Sequence, residues 1–374
     1  MSFVLLWQQG KRAAASGLLA PIYGWFTEEF DTSMEDVLLM IDHQLEIKSA
    51  ELKTALAPYR DSVLWRSILQ LLSSILSIFC LWFLMWFSLQ YTYMITLALS
   101  VPTAGFMLRL FMIQHDCGHG SFFKSQYAND AIGFLLGVIT LTPYHHWRKS
   151  HSLHHATSGD LDRRGHGDLK ILTVNEYLAL SPLRKFIYRI FRNPLFLFGV
   201  GPLFYFVVIQ RFPYYFSPSW KKERQGVYLT NVLIFVIVWL LSSYIGWREF
   251  LLIELPVVTI GSSAGVWLVF VQHHFQGTYW KAHNNWDYFM AGLAGSSYYD
   301  LPKLLQWFTA NIGFHHIHHL DSRIPNYRLQ ECFDQNLILQ KVKWLTISES
   351  ISCASLKLWD ENEAKMIGFH DLCS

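Results

Sequence analysis

Histidines are concentrated in four short stretches of this 374-residue chain, which holds 17 of them in total. Four fall within five positions in HHIHH (315–319), and the other stretches are HDCGH (115–119), HSLHH (151–155) and QHH (272–274). Neutral imidazole is a common metal ligand, whereas imidazoles packed together without a metal gain little from one another. The pattern therefore indicates metal binding.

The spacing inside three of these stretches supports this interpretation. Residues i, i+3 and i+4 share one face of an α-helix, so each stretch could direct two or three imidazoles to one point. QHH offers either His273 or His274, because adjacent residues point about 100° apart on a helix. The other candidate ligands are His115, His119, His151, His154, His155, His315, His318 and His319.

The number of candidate ligands predicts two metal ions. Nine convergent imidazoles exceed the four ligands of one tetrahedral zinc site. Imidazole suits iron, copper, nickel and zinc alike, so the type of ligand does not identify the metal.

The composition is that of an integral membrane protein with a substantial water-facing part. Hydrophobic residues make up 52% of the chain and charged residues only 16%, against about 25% charged in a typical soluble domain. A net charge of +2 without a basic stripe argues against nucleic-acid binding.

The five scattered cysteines predict a reducing compartment and no thiolate metal site. The first residues show no cleavable signal-peptide pattern.

Four apolar stretches are long enough to cross a bilayer, which takes about 20 residues. Very short connections predict that they form two helical hairpins. Two further apolar runs, 131–142 and 195–210, are respectively too short and interrupted by Pro202, so we expect both at the interface or beside the bundle. The predicted spans are about 67–89, 91–114, 228–246 and 250–272.

Lysines and arginines concentrate between the hairpins, in 115–227, which predicts that this segment and both termini face the cytoplasm. His115 and His119, directly after the second predicted span, and QHH at the end of the last span then lie on one side. The predicted fold is an all-α integral membrane protein: four transmembrane helices and a cytosolic helical cap that carries the histidine site. Its predicted parts are an N-terminal extension (1–46), the main domain (47–335) and a C-terminal cytosolic tail (336–374).

The text around the histidines resembles the membrane-bound fatty acid desaturases with three histidine boxes. The similar segments are HDCGHGSFF, WRKSHSLHHATSGDLDRRGHGD, VQHHFQGTYW and GSSYYDLPKLLQWFTANIGFHHIHHLDSRIPNYRL. The resemblance covers about residues 55–335. The HxxxH spacing of the first box is similar to that of acyl-lipid delta-12 and omega-3 enzymes.

The resemblance implies a di-iron centre held by the eight box histidines and one more before the third box, where His273 matches the family pattern better than His274. It implies no catalytic residue separate from this metal centre. Five polar residues could orient imidazole N–H groups, or could equally be helix caps or turn residues. They are Asp116, Asp162, Asp168, Asn311 and Asp321.

The implied reaction uses O2 and two external electrons to convert two adjacent methylenes into a cis double bond. An unactivated C–H bond requires a redox-active metal, which favours iron over zinc. We expect an acyl-lipid or acyl-thioester substrate in the membrane. No flavin, haem or nicotinamide motif is present, so a separate donor, ferredoxin or a cytochrome b5-like protein, should supply the electrons. A bacterial inner membrane is favoured over the endoplasmic reticulum.

Two alternatives remain open at this stage. A di-iron hydroxylase or ketolase of lipids or carotenoids would use the same histidines. A histidine-rich metal transporter or sensor would instead place ionisable ligands near the bilayer midplane. The predicted spans hold almost none there, since Arg109 and Glu254 lie near span ends.

Overall fold

The computed structural model describes residues 50–165, 167–213, 217 and 219–373, and the side chain of Cys373 is not among the described parts. The predicted extension, 1–46, therefore lies outside the described residues. The helices in chain order are α1 Leu64–Ser88, α2 Tyr93–His119, α3 Gln126–Ile139, α4 Tyr144–Thr157, α5 Val174–Ala179, α6 Pro182–Phe191, α7 Gly201–Val207, α8 Lys221–Ile245, α9 Trp247–His273, α10 Tyr288–Ala294, α11 Lys303–Phe308, α12 His315–Leu320, α13 Asn326–Gln335 and α14 Ile347–Cys353.

Helices α1, α2, α8 and α9 are long and apolar enough to cross a membrane, which confirms the four predicted spans and their pairing into two hairpins. The helix bounds differ from those of the predicted spans, most importantly at α2, which does not end at residue 114 but continues to His119. The first histidine box therefore forms the last turns of the helix instead of following it.

The surface of the spanning helices explains why they need a lipid environment. Large apolar side chains such as Phe79, Phe235 and Trp239 are more than half exposed. Soluble proteins rarely expose contiguous apolar surface of this extent. Between α1 and α2, the Ser88 and Thr96 hydroxyls lie 2.8 Å apart and form a hydrogen bond. Small hydroxylated residues of this kind allow close helix packing inside a membrane.

The two shorter apolar runs form helices that differ from the spans. Run 131–142 lies largely in α3, a helix of 14 residues. Run 195–210 forms a π-helical turn, Phe196–Val200, followed by α7 and a 3-10 turn, Ile209–Arg211. Together with α6 it makes a pair bent by 59°, which is the only bent pair that could count as a fifth span in the part of the chain that the structure describes.

The remaining elements form the cap, which is mainly helical but contains two small sheets that the sequence pattern did not predict. Strand β1 pairs in parallel with β4, β4 pairs antiparallel with β5, and β2 pairs in parallel with β3. The strands are β1 Leu172–Thr173, β2 Tyr298–Asp300, β3 Trp344–Thr346, β4 Leu358–Asp360 and β5 Lys365–Ile367.

These pairings show how the predicted C-terminal tail, 336–374, is organised where it is described. It supplies β3, β4 and β5, and each sheet joins it to an earlier part of the cap. Its side chains Trp359 and Met366 are buried in a core cluster together with Phe270 of α9. The segment is thus an integral layer of the cap.

Candidate metal centre

The ends of two spanning helices bring histidines to the same side of the bundle. Helix α2 ends at His119 and is capped by Gly120, which has a left-handed backbone (φ 71°) and donates its N–H to the carbonyls of Asp116 and Cys117. Glycine favours this conformation because it lacks a Cβ. His115 and His119 occupy the last two turns of α2, and His273 is the last residue of α9.

The other two boxes lie on short helices of the cap, as their spacing predicts. HSLHH forms the last part of α4, and HHIHH opens α12. Helix α12 ends at Leu320 with Asp321 as its C-cap. The Arg-Ile-Pro segment (323–325) follows shortly after, and proline cannot continue a helix interior.

The side chains of the nine candidate ligands form two groups, in each of which one ligand atom per residue lies within 4.8 Å of all the others. The boxes do not each aim at a single point, because the second and third boxes contribute to both groups. We call the first set the five-histidine group and the second the four-histidine group. The five-histidine group is His115, His119, His151, His155 and His318, and the four-histidine group is His154, His273, His315 and His319.

Seven of the nine histidines have an Nε2 atom that faces the Nε2 atom of another member of the same group. The Nε2 atom of His273 lies 3.1 Å from that of His154 and 3.0 Å from that of His315. The Nε2 atom of His155 lies 3.1 Å from that of His151 and 3.0 Å from that of His318. Two nitrogens bound at right angles to one first-row metal ion at about 2.1 Å would be about 3.0 Å apart. The spacing therefore suits metal coordination.

The proton positions on two of these imidazoles also suit a metal. Nδ1 of His273 lies 3.1 Å from the carbonyl oxygen of Gly295, and that oxygen can only accept. Nδ1 of His115 similarly lies 3.2 Å from Oδ1 of Asp116. With the proton on Nδ1, each Nε2 presents its lone pair to the group, as an oriented metal ligand does.

Burial keeps the cap histidines neutral. Desolvation, followed by repulsion from neighbouring imidazoles, lowers the pKa of His151, His155 and His318 well below the usual value. Desolvation also lowers the pKa of His154 to about 4. Neutral imidazole is the form that binds metals, so the cluster is ready to bind an ion near neutral pH.

His274 is not a member of either group. Its ring stacks on Phe270 at a centroid distance of 4.7 Å, and its Nδ1 lies 3.2 Å from the carbonyl oxygen of that residue. The helical pattern did not decide which of the two adjacent histidines joins the cluster. In the structure His273 faces the cluster, and His274 packs against α9.

Two of the predicted supporting residues connect to the cluster. Oδ2 of Asp116 accepts hydrogen bonds from the backbone and side-chain N–H groups of Asn326, at 2.8 and 2.7 Å. Asn311 donates through Nδ2 to the carbonyl oxygen of Asn326 at 3.0 Å. Asp116 thus links His115 to Asn326 at the start of α13. Asn311 contacts Asn326 and not an imidazole, and its backbone is left-handed with φ 59°.

The other three supporting candidates accept hydrogen bonds from groups outside the two histidine groups. Asp162 accepts from the backbone N–H of His283 at 2.8 Å, and Asp168 accepts from that of Gly165 at 3.0 Å. Asp321 accepts from Arg60 at 2.6 Å and from Arg323 at 3.0 Å. The charge of Asp168 also acts on the imidazole of His273. The role of these three carboxylates as orienting groups for an imidazole therefore stays a prediction.

Sequence reasoning missed Trp147 and Asn326 as residues of this site. The Trp147 ring stacks on His151 with centroids 4.6 Å apart and planes inclined by 18°. A Cβ on Gly118 would lie 2.8 Å from the Trp147 ring, so a glycine is needed where α2 passes this side chain. The i+4 spacing from Trp147 to His151 was the available signal for this contact.

Comparison with known proteins identifies the family. Residues 92–337 match the sequence model of a protein family that is described as "Fatty acid desaturase". The chain belongs to the fatty acid desaturase family. This family of oxidoreductases includes a Bacillus subtilis protein, "Fatty acid desaturase", which is 43% identical over 88% of this chain and 93% of its own length.

More distant members carry more specific names. An endoplasmic-reticulum omega-3 fatty acid desaturase of Vigna radiata is 31% identical over 62% of this chain and 62% of its own length. A Synechocystis sn-1 acyl-lipid omega-3 desaturase (ferredoxin) is 28% identical over 59% of this chain and 61% of its own length. The acyl-lipid resemblance noted in the first histidine box is therefore confirmed at the family level, and the histidine clusters are compatible with metal binding.

Proposed function

We propose that the nine clustered histidines hold two iron ions, one in each group, and that the protein introduces a cis double bond into an acyl chain of a membrane lipid. The observation that carries this proposal is the division of the histidines into two adjacent groups of converging ring nitrogens. The bond position would be of the delta-12/omega-6 or omega-3 type, as the names of several relatives state for those proteins.

Bound iron with O2 would supply an oxidant able to break an unactivated C–H bond. The chain's own contribution is different. Asp116 and the Gly295 carbonyl hold protons on the Nδ1 atoms of their histidines, and burial of seven of the nine ligands keeps bulk water away from the reacting region. These partners fix the orientation of the imidazoles. Mutation of such outer hydrogen-bond partners typically lowers metal affinity or activity about 10–100-fold.

Both histidine groups lie at the ends of α2 and α9. This position favours an enzyme over a metal transporter. A transporter would place its ligands near the middle of the spans. The basic segment 115–227 supports a cytoplasmic location for this side. The bacterial source of the 43% identical Bacillus relative favours a bacterial membrane over the endoplasmic reticulum named for the Vigna relative. The name of the Synechocystis relative supports an external electron donor such as ferredoxin.

The test is expression in a host that lacks polyunsaturated lipids, followed by fatty-acid profiling. We expect a new double bond with the wild type, no new product with His315→Ala, and retained product with the control His274→Ala. A hydroxylated or keto product would support the alternative oxidation instead. An unchanged profile in the wild type, with an electron donor supplied, would contradict the desaturase proposal.

A further inference from the structure

A pocket of about 430 Å³ opens beside the five-histidine group, between α4 and the first turn of α8. Its inner wall contains His119, Trp147 and His151. These two histidines are also the only ligands of the nine that are partly exposed, while the other seven are buried. Solvent therefore comes closest to the cluster at this pocket.

The outer edge of the pocket is basic. Arg148, Lys149 and Lys222 line it, with Glu223 as the single acid in the described lining. Arg148 is paired with Asp130 at 2.7 Å. Lys149 and Lys222 have no ion pair with any residue that the structure describes, so their charges are available to a partner.

Aromatic rings connect this outer edge to the histidine cluster. Trp147 lines the pocket and stacks on His151 at 4.6 Å between centroids, and it also lies 5.6 Å from the His115 ring. Electron transfer through protein weakens steeply with distance, so a redox partner gains most by docking where conjugated rings contact both surface and ligands.

We propose that this pocket is the docking site of a small acidic electron-carrier protein and that electrons enter through Trp147 and His151. The inference rests on the proposed function, since it names the place where the external donor binds. Lys149 and Lys222 would attract the acidic surface of the donor, and such charge pairs mainly raise the rate of association. Electron-transfer encounters are small, below about 1,200 Å² of buried surface, so one basic pocket and its surroundings suffice.

The lining disfavours an acyl chain as the occupant. Among the lining residues that the structure describes, none is aliphatic, whereas pockets for apolar ligands are lined mainly by apolar side chains. A lipid phosphate could still pair with the two lysines, and the experiment separates that outcome from protein docking.

The electron balance is simple. Each docked donor molecule is oxidised by one electron, and that electron would reduce one iron ion of the proposed centre. Two such encounters supply the two electrons required for one double bond. No bond in the protein forms or breaks during docking. The protons that end in water are consumed in the later reaction with O2, outside this step.

The experiment compares Lys149→Gln/Lys222→Gln with Lys170→Gln/Lys341→Gln, a control that removes two exposed lysines outside the pocket lining. The probe is a purified acidic [2Fe–2S] ferredoxin, and its dissociation constant is measured on the purified full-length protein at low and high salt. At low salt we expect the pocket variant to bind roughly tenfold more weakly and the control to change less than twofold. The difference should shrink at high salt because exposed charges are screened.

Steady-state assays add a second readout. We expect the pocket variant to raise KM for ferredoxin and to leave KM for the lipid unchanged. Unchanged ferredoxin binding in the pocket variant, equal loss in the control, or a raised KM for the lipid alone would each overturn the proposal, and the last would indicate a lipid phosphate site. Because binding is measured without turnover, a wild type that binds ferredoxin but makes no double bond would refute the proposed function and leave the docking site standing.

Discussion

The rings of His155 and His319 stack nearly parallel, with centroids 4.2 Å apart and planes inclined by 17°. His155 belongs to the five-histidine group and His319 to the four-histidine group. The two groups therefore share a wall of imidazole rings instead of lying apart, and any ions that they hold would be close neighbours. This arrangement arises because α4 and α12 each place histidines on both sides of that wall.

Metal content should depend on each group separately. We expect about two iron ions per wild-type chain and about one in His119→Ala or His273→Ala, because each substitution removes a ligand from only one group. Metal analysis by mass spectrometry, normalised to protein concentration, measures this directly. His274→Ala is the matched control and should retain about two ions. Zinc in place of iron would contradict the iron assignment, and full loss of metal in His274→Ala would contradict the two-site assignment.

Asp116 should matter for metal retention through its contact with His115. Asp116→Asn keeps the size of the side chain but removes the charge that faces Nδ1 of His115. We expect metal affinity to fall about 10–100-fold, as for other outer partners of ligating histidines. The rate of iron release to a chelator reports this change. Asp162→Asn, which alters a carboxylate that serves the His283 backbone, should release iron as the wild type does.

The sequence predicted the spans and all nine clustered histidines because both depend on local patterns. Length and apolarity define a span, and the i, i+3, i+4 spacing defines a helical face. Whether His273 or His274 joins the cluster is settled in the structure by where the last turn of α9 meets Gly295.

The parts that the sequence did not reveal depend on distant contacts. The link from Asp116 to Asn326 joins residues 210 positions apart. Strands β1 to β5 have two or three residues each, which is too short for an alternating pattern to be recognised. The box histidines divide between two groups because imidazoles of α4 contact imidazoles of α12 in both groups. Spacing within one box does not contain this relationship.

Lys357 should give the cap a distinct pH dependence. Its ammonium is buried and donates to the carbonyls of Arg192 and Ala354. Burial, and secondarily the charge of Arg192, lowers the pKa of Lys357 from 10.5 to about 8. Between these two values the unfolded chain binds more protons than the folded one, so this residue's contribution makes stability rise as pH increases through that window.

The measurement is the Tm of the purified protein between about pH 8 and 10.5, with Lys357→Met as the comparison. A rise in wild-type stability should raise Tm by about 1–2 °C for each kcal/mol, because the entropy of unfolding grows with chain length. In Lys357→Met this rise should be missing, so the difference in Tm between the two proteins should change with pH. A constant difference across the window would show that the pKa of Lys357 is not lowered by folding.

The two termini should respond oppositely to truncation. Deleting 336–374 removes three strands and the buried side chains of Trp359 and Met366. Each large buried apolar side chain contributes about 1.5–3 kcal/mol, so we expect the cap to unfold and the protein to aggregate in size-exclusion chromatography. Deleting 1–46, which contains none of the clustered histidines and precedes the family match at 92–337, should leave activity intact. An inactive but monodisperse N-terminal truncation would contradict this second expectation.

Trp147 should influence electron entry more than metal binding. It is a positioning residue, because its ring holds His151 by stacking and contacts Phe111 at 5.5 Å without reaching the lone pairs of the cluster. Trp147→Phe keeps an aromatic ring on His151, whereas Trp147→Leu removes it. We expect iron content to stay near the wild-type level in both. Reduction by ferredoxin should slow by about tenfold or more in the leucine variant and much less in the phenylalanine variant.

Stopped-flow absorbance measures these rates, and dithionite, which needs no docking, serves as the control reductant. Equal slowing with dithionite and ferredoxin would mean that Trp147 acts only on the metal centre, and equal rates in all variants would exclude it from the electron path.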